Sequence, residues 1–488
     1  MREEVLRMSE VTYSDRSGVQ LQDFCLNIFE GEIVGLILRR GHGVTALTEL
    51  LHGNLPLQAG YIYYREELVN SWRAPRVHEN RIAVITGKSC LVDGLTVADN
   101  IFVLRPGFRT WLIRPKLLVR QLQPVLDDLG AGIAADAYVD TLSSFQRVVV
   151  ELVKASLMGC RLVILREIGA IISDMEMARL REILRHYADT GMAFLYIGFH
   201  YEEMEQICDR IAAFSDGRIT KVLCPGAGSL LYEEGYTRRV REQMTRTEQQ
   251  EGASPALELR DLCGGSVRHL SFTAAAGECV VLQDLQNQIF GDLIALLLGD
   301  LRAESGEILL AGRPFVPGPS REIAILRERP DVTMIFPELT YLDNLCITAD
   351  HRLPEVWRSR SVRKGIRREW AQRVGEEVFF LHPNQYSKRQ RYELVIQRIL
   401  LQRPQVVFCV QPFNGADVGM RMHIWEMLDE LKKNGIALVI LAVNLADTLT
   451  LATRLVRVRQ GAACEVYEQR DFERLPFSAP WIDLYRKP

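Results

Sequence analysis

The sequence predicts an α/β fold that occurs twice in tandem along the chain. In each half, short β-branched runs alternate with amphipathic stretches of helical spacing, such as residues 179–187 and 422–433. That alternation is typical of a mostly parallel sheet covered by helices. Several segments also recur at a nearly constant distance along the chain, which indicates an internal duplication. We therefore expect two α/β units of similar size.

The duplication is visible in matched segments. GEIV at residues 31–34 recurs 246 residues later as GECV, and LTVADN at residues 95–100 recurs 244 residues later as LTYLDN. Between the halves, residues 236–255 are polar and charged, as expected of a linker with some helix at its start. Strand signals disappear between residues 100 and 140, which predicts a helical insert in each unit. The expected organisation is a first unit over 1–238, a linker over 239–255 and a second unit over 256–488.

Composition excludes several classes of function. The chain has 488 residues with 48% hydrophobic and 25% charged residues, which is typical of a soluble globular protein. A net charge of −3 argues against nucleic-acid binding as its main role. The N-terminal residues contain no apolar signal core, and the longest apolar run, residues 436–443, is too short to span a bilayer. Ten scattered cysteines without metal-ligand spacing indicate reduced thiols, a cytoplasmic location and no metal site.

A degenerate phosphate-binding loop follows the apolar strand at residues 33–38. Such loops read G-x-x-x-x-G-K-[ST], because backbone N–H groups of the turn and helix start converge on an anion while the Lys reaches the phosphates. Here the corresponding residues are LRRGHGVT, so Leu38 replaces the first Gly and Val44 replaces the Lys. Gly41, Gly43 and the hydroxyl residue Thr45 remain. In the second half the segment reads DLQNQIFG, where neither motif Gly survives. We expect no bare backbone nest to form over residues 287–289 without strain.

This combination resembles the tandem ATP-binding cassette (ABC) subunits of bacterial sugar importers of the ribose/galactose type. The resemblance covers nearly the whole chain. It implies two P-loop NTPase-like ABC cassettes, each a mixed, mostly parallel sheet with helices plus a helical insert. It also implies that ATP is held between the loop of one cassette and the signature of the other. By position, it assigns nucleotide contacts to Tyr13, Arg39, Arg40, Gly41, His42, Gly43, Val44 and Thr45. For Tyr13, a packing aromatic at a strand end is an equally weighted alternative.

The catalytic marks of the family are altered in the first half. The motif L-D-E-P-T reads LREIG, so Arg166 replaces the metal-binding Asp while Glu167 keeps the position of the catalytic base. The switch histidine is replaced by Phe199, and we expect His200, one residue later, to be a surface histidine at a helix entry. Arg39, Arg40 and Arg166 could form a metal-free anion site, although a simple pair of Arg166 with Glu167 is favoured.

The two signature motifs and the motifs of the second half also depart from the family pattern. The first signature is Ser143, Ser144, Phe145 and Gln146, and we expect the Phe145 ring to fill the space that a Gly leaves for the γ-phosphate. The second signature contains Ser387, Lys388 and Arg389. The second LDEP motif reads CVQP and has lost both carboxylates. A basic stretch at residues 352–368 lies in the second helical insert, where a solvated face or a surface near a permease or lipid headgroups would be expected.

The sequence therefore predicts a pseudo-ATPase that acts as a structural or regulatory subunit of a sugar-type import system. The alternative is a weakly active ATP-binding subunit that energises carbohydrate import. A twin-cassette ribosomal factor fits less well, because the linker is too short for the helical arm of those proteins. The expected cofactor is ATP or ADP, bound weakly in the first cassette and without Mg²⁺. The expected partners are ABC permease subunits or another cassette chain, with peripheral association at the inner face of the membrane and no nucleic acid.

Overall fold

The computed structural model describes residues 2–15, 18–38, 43–73, 80–102, 115–224, 255–348, 356–416, 418–445 and 448–475. The chain divides into two compact units, one holding the described residues up to 224 and the other nearly all of those from 255 onward. Most of the predicted linker lies outside the described residues, so the boundaries at 238 and 255 remain a prediction. The second unit already begins its first strand at Pro255, which the sequence had assigned to the linker.

The first unit alternates strands and helices in the predicted manner. Its elements are β1 (Glu4–Asp15), β2 (Gly18–Phe29), β3 (Ile33–Leu38), α1 (Val44–Gly53), β4 (Ala59–Tyr64), β5 (Glu67–Ser71), β6 (Ile82–Thr86), α2 (Val97–Phe102), α3 (Pro115–Asp128), α4 (Ser144–Leu157), β7 (Leu162–Arg166), α5 (Asp174–Asp189), β8 (Ala193–Gly198), α6 (Tyr201–Ile207), β9 (Arg210–Ser215) and β10 (Arg218–Leu223). Helices α2 to α4 form its helical insert, where the sequence lost its strand signal.

The second unit repeats this order. Its elements are β11 (Pro255–Gly264), β12 (Val267–Ala275), β13 (Cys279–Asp284), α7 (Ile289–Leu298), β14 (Ser305–Leu310), β15 (Arg313–Pro314), β16 (Ile323–Leu326), α8 (Pro330–Thr333), α9 (Tyr341–Cys346), α10 (Val356–Val374), α11 (Lys388–Gln402), β17 (Val406–Val410), α12 (Val418–Lys433), β18 (Ala437–Ala442), β19 (Arg454–Arg459) and β20 (Ala462–Glu468). Helices α9 to α11 correspond to the insert of the first unit.

Both units have the same pair of sheets. The first unit has an antiparallel sheet of order β2-β1-β4-β5 and a six-stranded sheet of order β10-β9-β3-β8-β7-β6, and the second unit has β12-β11-β14-β15 and β20-β19-β13-β18-β17-β16. In each six-stranded sheet five strands are parallel and only the β10 or β20 edge is antiparallel. This matched order confirms that the duplicated segments specify the same mixed, mostly parallel architecture twice.

Burial on both faces explains why the central strands are continuous apolar runs. In β3, Ile33 and Ile37 pack in the core shared with the helical insert, whereas Val34 and Leu36 pack in the core under the antiparallel sheet. Side chains alternate between the two faces of a strand, so a strand covered on both sides needs apolar residues at every position. Because the parallel strands all end at one edge, the segments after β3, β7 and β8 lie together there, and the functional residues predicted on them share one region.

Candidate functional site

The turn into α1 keeps its glycine for a steric reason. Gly43 precedes the helix with φ of 90°, and a Cβ atom there would lie 2.1 Å from the carbonyl oxygen of Gln20. Only glycine adopts that conformation without strain or clash. The predicted contacts Arg39, Arg40, Gly41 and His42 lie outside the described residues.

The residue at the position of the phosphate-binding Lys points into the core instead. Val44 is 1% exposed and packs with the buried residues under the antiparallel sheet. Thr45, the next residue, is exposed and keeps its hydroxyl at the edge of the sheet. Tyr13, the predicted adenine contact, is half-buried against the same core, and burial followed by the nearby Asp15 and Glu49 carboxylates raises its pKa. This loop therefore supplies a hydroxyl and a constrained backbone, but no cation from position 44.

Arg166 joins the two polar groups that the family resemblance assigns to the metal and the base. Its Nη1 donates a hydrogen bond to Thr45 Oγ1 at 3.2 Å, and its Nε donates to Glu167 Oε1 at 3.2 Å. The pair with Glu167 is the one that the sequence favoured. The Arg166 guanidinium group therefore places a positive charge between the Thr45 hydroxyl and the Glu167 carboxylate.

Glu167 occupies a left-handed backbone conformation that both units preserve. Its φ is 57°, and its N–H donates to the Ile197 carbonyl at 2.9 Å. In the second unit Gln411 has φ of 42° and donates in the same way to the Leu441 carbonyl at 2.9 Å. The backbone that presents a carboxylate in the first unit thus persists in the second, where the carboxylate has been lost.

A half-buried carboxylate beside Gly169 was not found from the sequence. Glu203 accepts a hydrogen bond from the hydroxyl of Tyr196, a fully buried residue. Burial and the Glu203 charge hold the pKa of Tyr196 well above its usual value. A Cβ atom on Gly169 would lie 2.2 Å from Glu203 Oε2, so the glycine makes room for this carboxylate. His200 precedes α6 as expected, with Nδ1 3.8 Å from Glu203 Oε2, and is half-buried rather than fully exposed.

The signature residues act as helix caps within their own units. Ser143 accepts from the Gln146 N–H at 3.2 Å, and the Gln146 side chain accepts from the Ser143 N–H at 3.1 Å. Ser387 and Gln390 repeat this reciprocal capping box at the start of α11. The S-x-x-Q spacing could have predicted both caps from the sequence alone.

The expectation for Phe145 was wrong. Its side chain is only 3% exposed and packs in the core of the helical insert, whereas Ser144 beside it is half-buried. A phenylalanine in the first turn of an amphipathic helix is placed by its apolar face, which turns towards the core. The ring therefore does not fill the space above the signature backbone.

The two basic residues of the second signature have contacts within their own unit. Lys388 Nζ donates to the Gly415 carbonyl at 2.6 Å, and Arg389 Nε donates to Glu393 Oε1 at 3.1 Å. Similarly, in the basic stretch of α10, Arg363 pairs with Asp343 and Arg367 pairs with Glu376. These intramolecular pairs reduce the charge available to an external anion.

The loop of the second unit closes on its own carboxylate. Asp284, at the end of β13, accepts from the N–H groups of Gln286, Gln288 and Ile289 at 3.0, 2.6 and 2.9 Å. Asn287 takes the left-handed conformation with φ of 52°. The loop therefore closes only with a positive φ at Asn287, the strained conformation that the sequence led us to expect, and the Asp284 carboxylate accepts its N–H groups. An Asp that follows a buried strand and precedes a helix by five residues is the signal that could have indicated this.

Phe290 repeats the behaviour of Val44. It stands where the motif requires Lys, is 6% exposed and packs in the core of the second unit. Among the described residues, no group of three or more His, Cys, Asp or Glu side chains is placed to hold a metal ion. Likewise, no helix in the described ranges has the length and apolarity needed to cross a bilayer.

Comparison with known proteins places this geometry in a family context. A model described as ABC transporter matches residues 21–168, from β2 to the turn after Glu167. The ribose import ATP-binding protein RbsA of Halalkalibacterium halodurans is 24% identical over 484 residues, covering 95% of this chain and 96% of that protein. RbsA 1 of Rubrobacter xylanophilus is 26% identical over 468 residues, with 94% of each covered. Over nearly its whole length the chain is therefore similar to ribose import ATP-binding proteins, and residues 21–168 of its first unit match the ABC transporter model.

Solved structures agree on the fold of the tandem cassettes. RNase-L Inhibitor superposes with a TM-score of 0.58 over 96% of this chain and 92% of that one, at 15% identity. Archaeal aABCE1, in its complex with the ribosomal stalk protein aP1, gives 0.56 over 95% and 91%, at 14% identity. At these identities the likeness concerns architecture alone, and it covers both cassettes.

Proposed function

We propose that this tandem cassette protein is the ATP-binding component of an ABC import system for a carbohydrate, acting with permease subunits at the inner face of the membrane. The observation that carries the proposal is the similarity to ribose import ATP-binding proteins, which extends over 94% or more of this chain and includes both cassettes. The specific sugar is not part of the proposal.

Nucleotide is proposed to bind in the first cassette. Its turn retains Gly43 in the required conformation and the exposed hydroxyl of Thr45, and N–H groups at the start of α1 can face an anion. In the second cassette the corresponding N–H groups already bind Asp284. Binding in the first cassette should be weak, because Val44 contributes no charge.

Arg166 favours a second candidate, a cassette protein that binds its partners without hydrolysing ATP. Phosphoryl transfer depends on positioning and on charge stabilisation by Mg²⁺ and Lys. Here the Arg166 guanidinium takes the metal side of the site, tied to Thr45 and Glu167, and Val44 removes the Lys. On this reading ATP binding would not require Mg²⁺, and the chain would serve a structural or regulatory role on the permease.

One experiment decides between the two candidates. The chain is co-expressed with candidate carbohydrate permease subunits, and ATP turnover is measured in vesicles for the native chain, Glu167→Gln and the control Glu67→Gln, an exposed carboxylate on β5. Turnover that Glu167→Gln abolishes and Glu67→Gln preserves supports an active import ATPase. Turnover at background in all three supports the non-hydrolysing subunit. If the chain does not assemble with a permease at all, the import proposal fails.

Single restoration of the lost cation should not create an active site. We expect Val44→Lys to leave turnover at background, since Arg166 still holds Thr45 and Glu167. The double change Val44→Lys and Arg166→Asp restores both charges in the first cassette and is the matched comparison. Turnover in the single variant would show that Arg166 does not block the site.

A further inference from the structure

The second cassette contains a negative charge in the place where its fold would otherwise receive a phosphate. Asp284 stands at the first position of the degenerate loop, is only 2% exposed and ends β13, five residues before the first residue of α7. In the first cassette the equivalent position is Leu38, a buried apolar residue with no capacity to accept a hydrogen bond. The two cassettes therefore differ at this position in charge as well as in loop sequence.

The Asp284 carboxylate makes the contacts that an anion would make. One oxygen accepts from Gln286 N–H, and the other accepts from Gln288 N–H and Ile289 N–H. The last of these is the first residue of α7, so the carboxylate also faces the positive end of a ten-residue helix. A buried carboxylate is costly unless it is satisfied, and these three N–H donors satisfy it.

We propose that Asp284 is a built-in anion that occupies the phosphate cradle of the second cassette and keeps its loop in an anion-bound form without nucleotide. Phe290 complements this arrangement, because its buried ring anchors the start of α7 where a Lys would otherwise reach a phosphate. The consequence is that the Asp284 carboxylate already uses the N–H groups that would bind a phosphate. The second cassette therefore excludes nucleotide by this contact as well as by the absence of the motif Lys and Gly. This inference rests on the proposed function, in which nucleotide binds only in the first cassette. It adds a structural reason why the second cassette does not bind nucleotide.

The test is amide hydrogen exchange in peptides covering residues 284–298 of the full chain, with and without inorganic phosphate and with chloride at matched ionic strength. In Asp284→Ala we expect exchange of the loop amides to be about tenfold to a hundredfold faster than in the native chain, because hydrogen bonds to a charged group are lost. Phosphate should slow exchange in this variant and have no effect on the native chain.

Two further variants make the result specific. Asp284→Asn keeps the size of the side chain and one acceptor oxygen but removes the charge, so we expect a smaller acceleration of amide exchange than in Asp284→Ala. This variant also provides the measurement if Asp284→Ala does not fold. Asp292→Ala is the matched control, because Asp292 lies in the first turn of α7 but accepts from Ser266 N–H and Oγ–H at 2.7 and 2.6 Å. Its loss should not create a response to phosphate.

Three outcomes would overturn the proposal. These are unchanged exchange in both Asp284 variants, faster exchange without any phosphate response, and a phosphate effect of equal size in the native chain. The second outcome would reduce Asp284 to an ordinary helix cap. No nucleotide or permease is used, so a failure here leaves the proposed import function standing, and a failure of that function leaves this test valid.

Discussion

At the scale of single residues, three positions where the cassette motifs have Lys or Gly carry apolar side chains that contribute to packing. Val44 and Phe290 replace a Lys at the start of α1 and α7, and Phe145 replaces a Gly at the start of α4. All three are buried, at 1%, 6% and 3% exposure. A Lys or Gly at these places would contribute little to a core, whereas an apolar side chain contributes roughly 25 cal/mol for each Å² removed from water. These changes therefore exchange binding groups for stability.

Phe145 offers a direct measure of this exchange. We expect Phe145→Ala to lower the free energy of unfolding by about 3–5 kcal/mol, because it leaves a cavity in the core of the helical insert. Denaturant unfolding of the variant and the native chain gives the difference. Phe145→Leu, which keeps most of the apolar volume, should cost much less. A loss below about 1 kcal/mol for the alanine variant would mean that the ring is not a core residue.

At the scale of elements, α4 and α11, the helices that follow the two signatures, begin with the same type of capping box. They differ in the surroundings of one carboxylate on each helix. On α4, Glu151 accepts from Ser89 Oγ–H at 2.5 Å and from Cys90 N–H at 2.7 Å, and burial raises its pKa despite these contacts. On α11, burial also raises the pKa of Glu393, but His423 at 2.9 Å and Arg389 outweigh it, so the net pKa is lowered. The two carboxylates should therefore make stability respond to pH in opposite directions.

The pH dependence follows from the sign of each shift. A raised pKa contributes stability that is present below the unfolded-state value and lost as pH rises through the folded-state value, so ionised Glu151 costs stability at neutral pH. A lowered pKa contributes stability above the unfolded-state value, and this is lost as pH falls through the folded-state value. We expect Glu151→Gln to raise, and Glu393→Gln to lower, the melting temperature near pH 7. Both differences should shrink towards pH 4.

Scanning calorimetry of the two variants from about pH 4 to pH 7 tests this prediction, and each variant is the control for the other. The transition that contains the altered cassette is the one compared with the native chain. Changes of the same sign in both variants, or differences that do not depend on pH, would contradict the assigned electrostatics.

At the scale of the whole molecule, the duplication was predictable because it depends on segments that build the sheets. The repeated GEIV and GECV segments enter β3 and β13, and both central sheets have the same strand order. The helical insert also followed from the sequence, since periodicity changes where the strand signal ends. Hydrophobic pattern is a local property, so it transfers directly from sequence to element.

The site was less predictable from the sequence. Some of its contacts join residues that are far apart along the chain, and some motif residues pack in the core instead of facing the site. Arg166 reaches Thr45 across 121 residues, which is a tertiary contact that spacing does not reveal. Tyr196 and Glu203 lie on separate elements, and the carboxylate occupies space that a side chain at position 169 would need. Phe145 was assigned by its place in a motif, and the direction of its side chain was decided instead by the apolar face of α4. Motif position identifies a location, but packing determines what the side chain does there.

Nucleotide binding is a property of the whole chain, and calorimetry can measure it directly. We expect a single weak site for ATP, in the first cassette, with an affinity that falls as salt increases because the attraction is electrostatic. An affinity unchanged by Mg²⁺ or EDTA would favour the non-hydrolysing candidate. Thr45→Val, which removes the exposed hydroxyl at similar size, should weaken binding, whereas Gly291→Ala in the second cassette should not. Tight binding that requires Mg²⁺ would contradict the role given to Arg166.

The built-in charges also bear on how such a chain could change over evolutionary time. A Lys introduced at position 290 would meet the Asp284 carboxylate before it met a phosphate, and a metal-binding group near Thr45 would meet Arg166. Each restored binding group would first be neutralised by the charge that took its place. Recovery of an ordinary nucleotide site would therefore require the internal ions to be removed first, through intermediates with an unfilled nest or an unpaired Glu167. The internal charges therefore constrain the order in which such substitutions could accumulate.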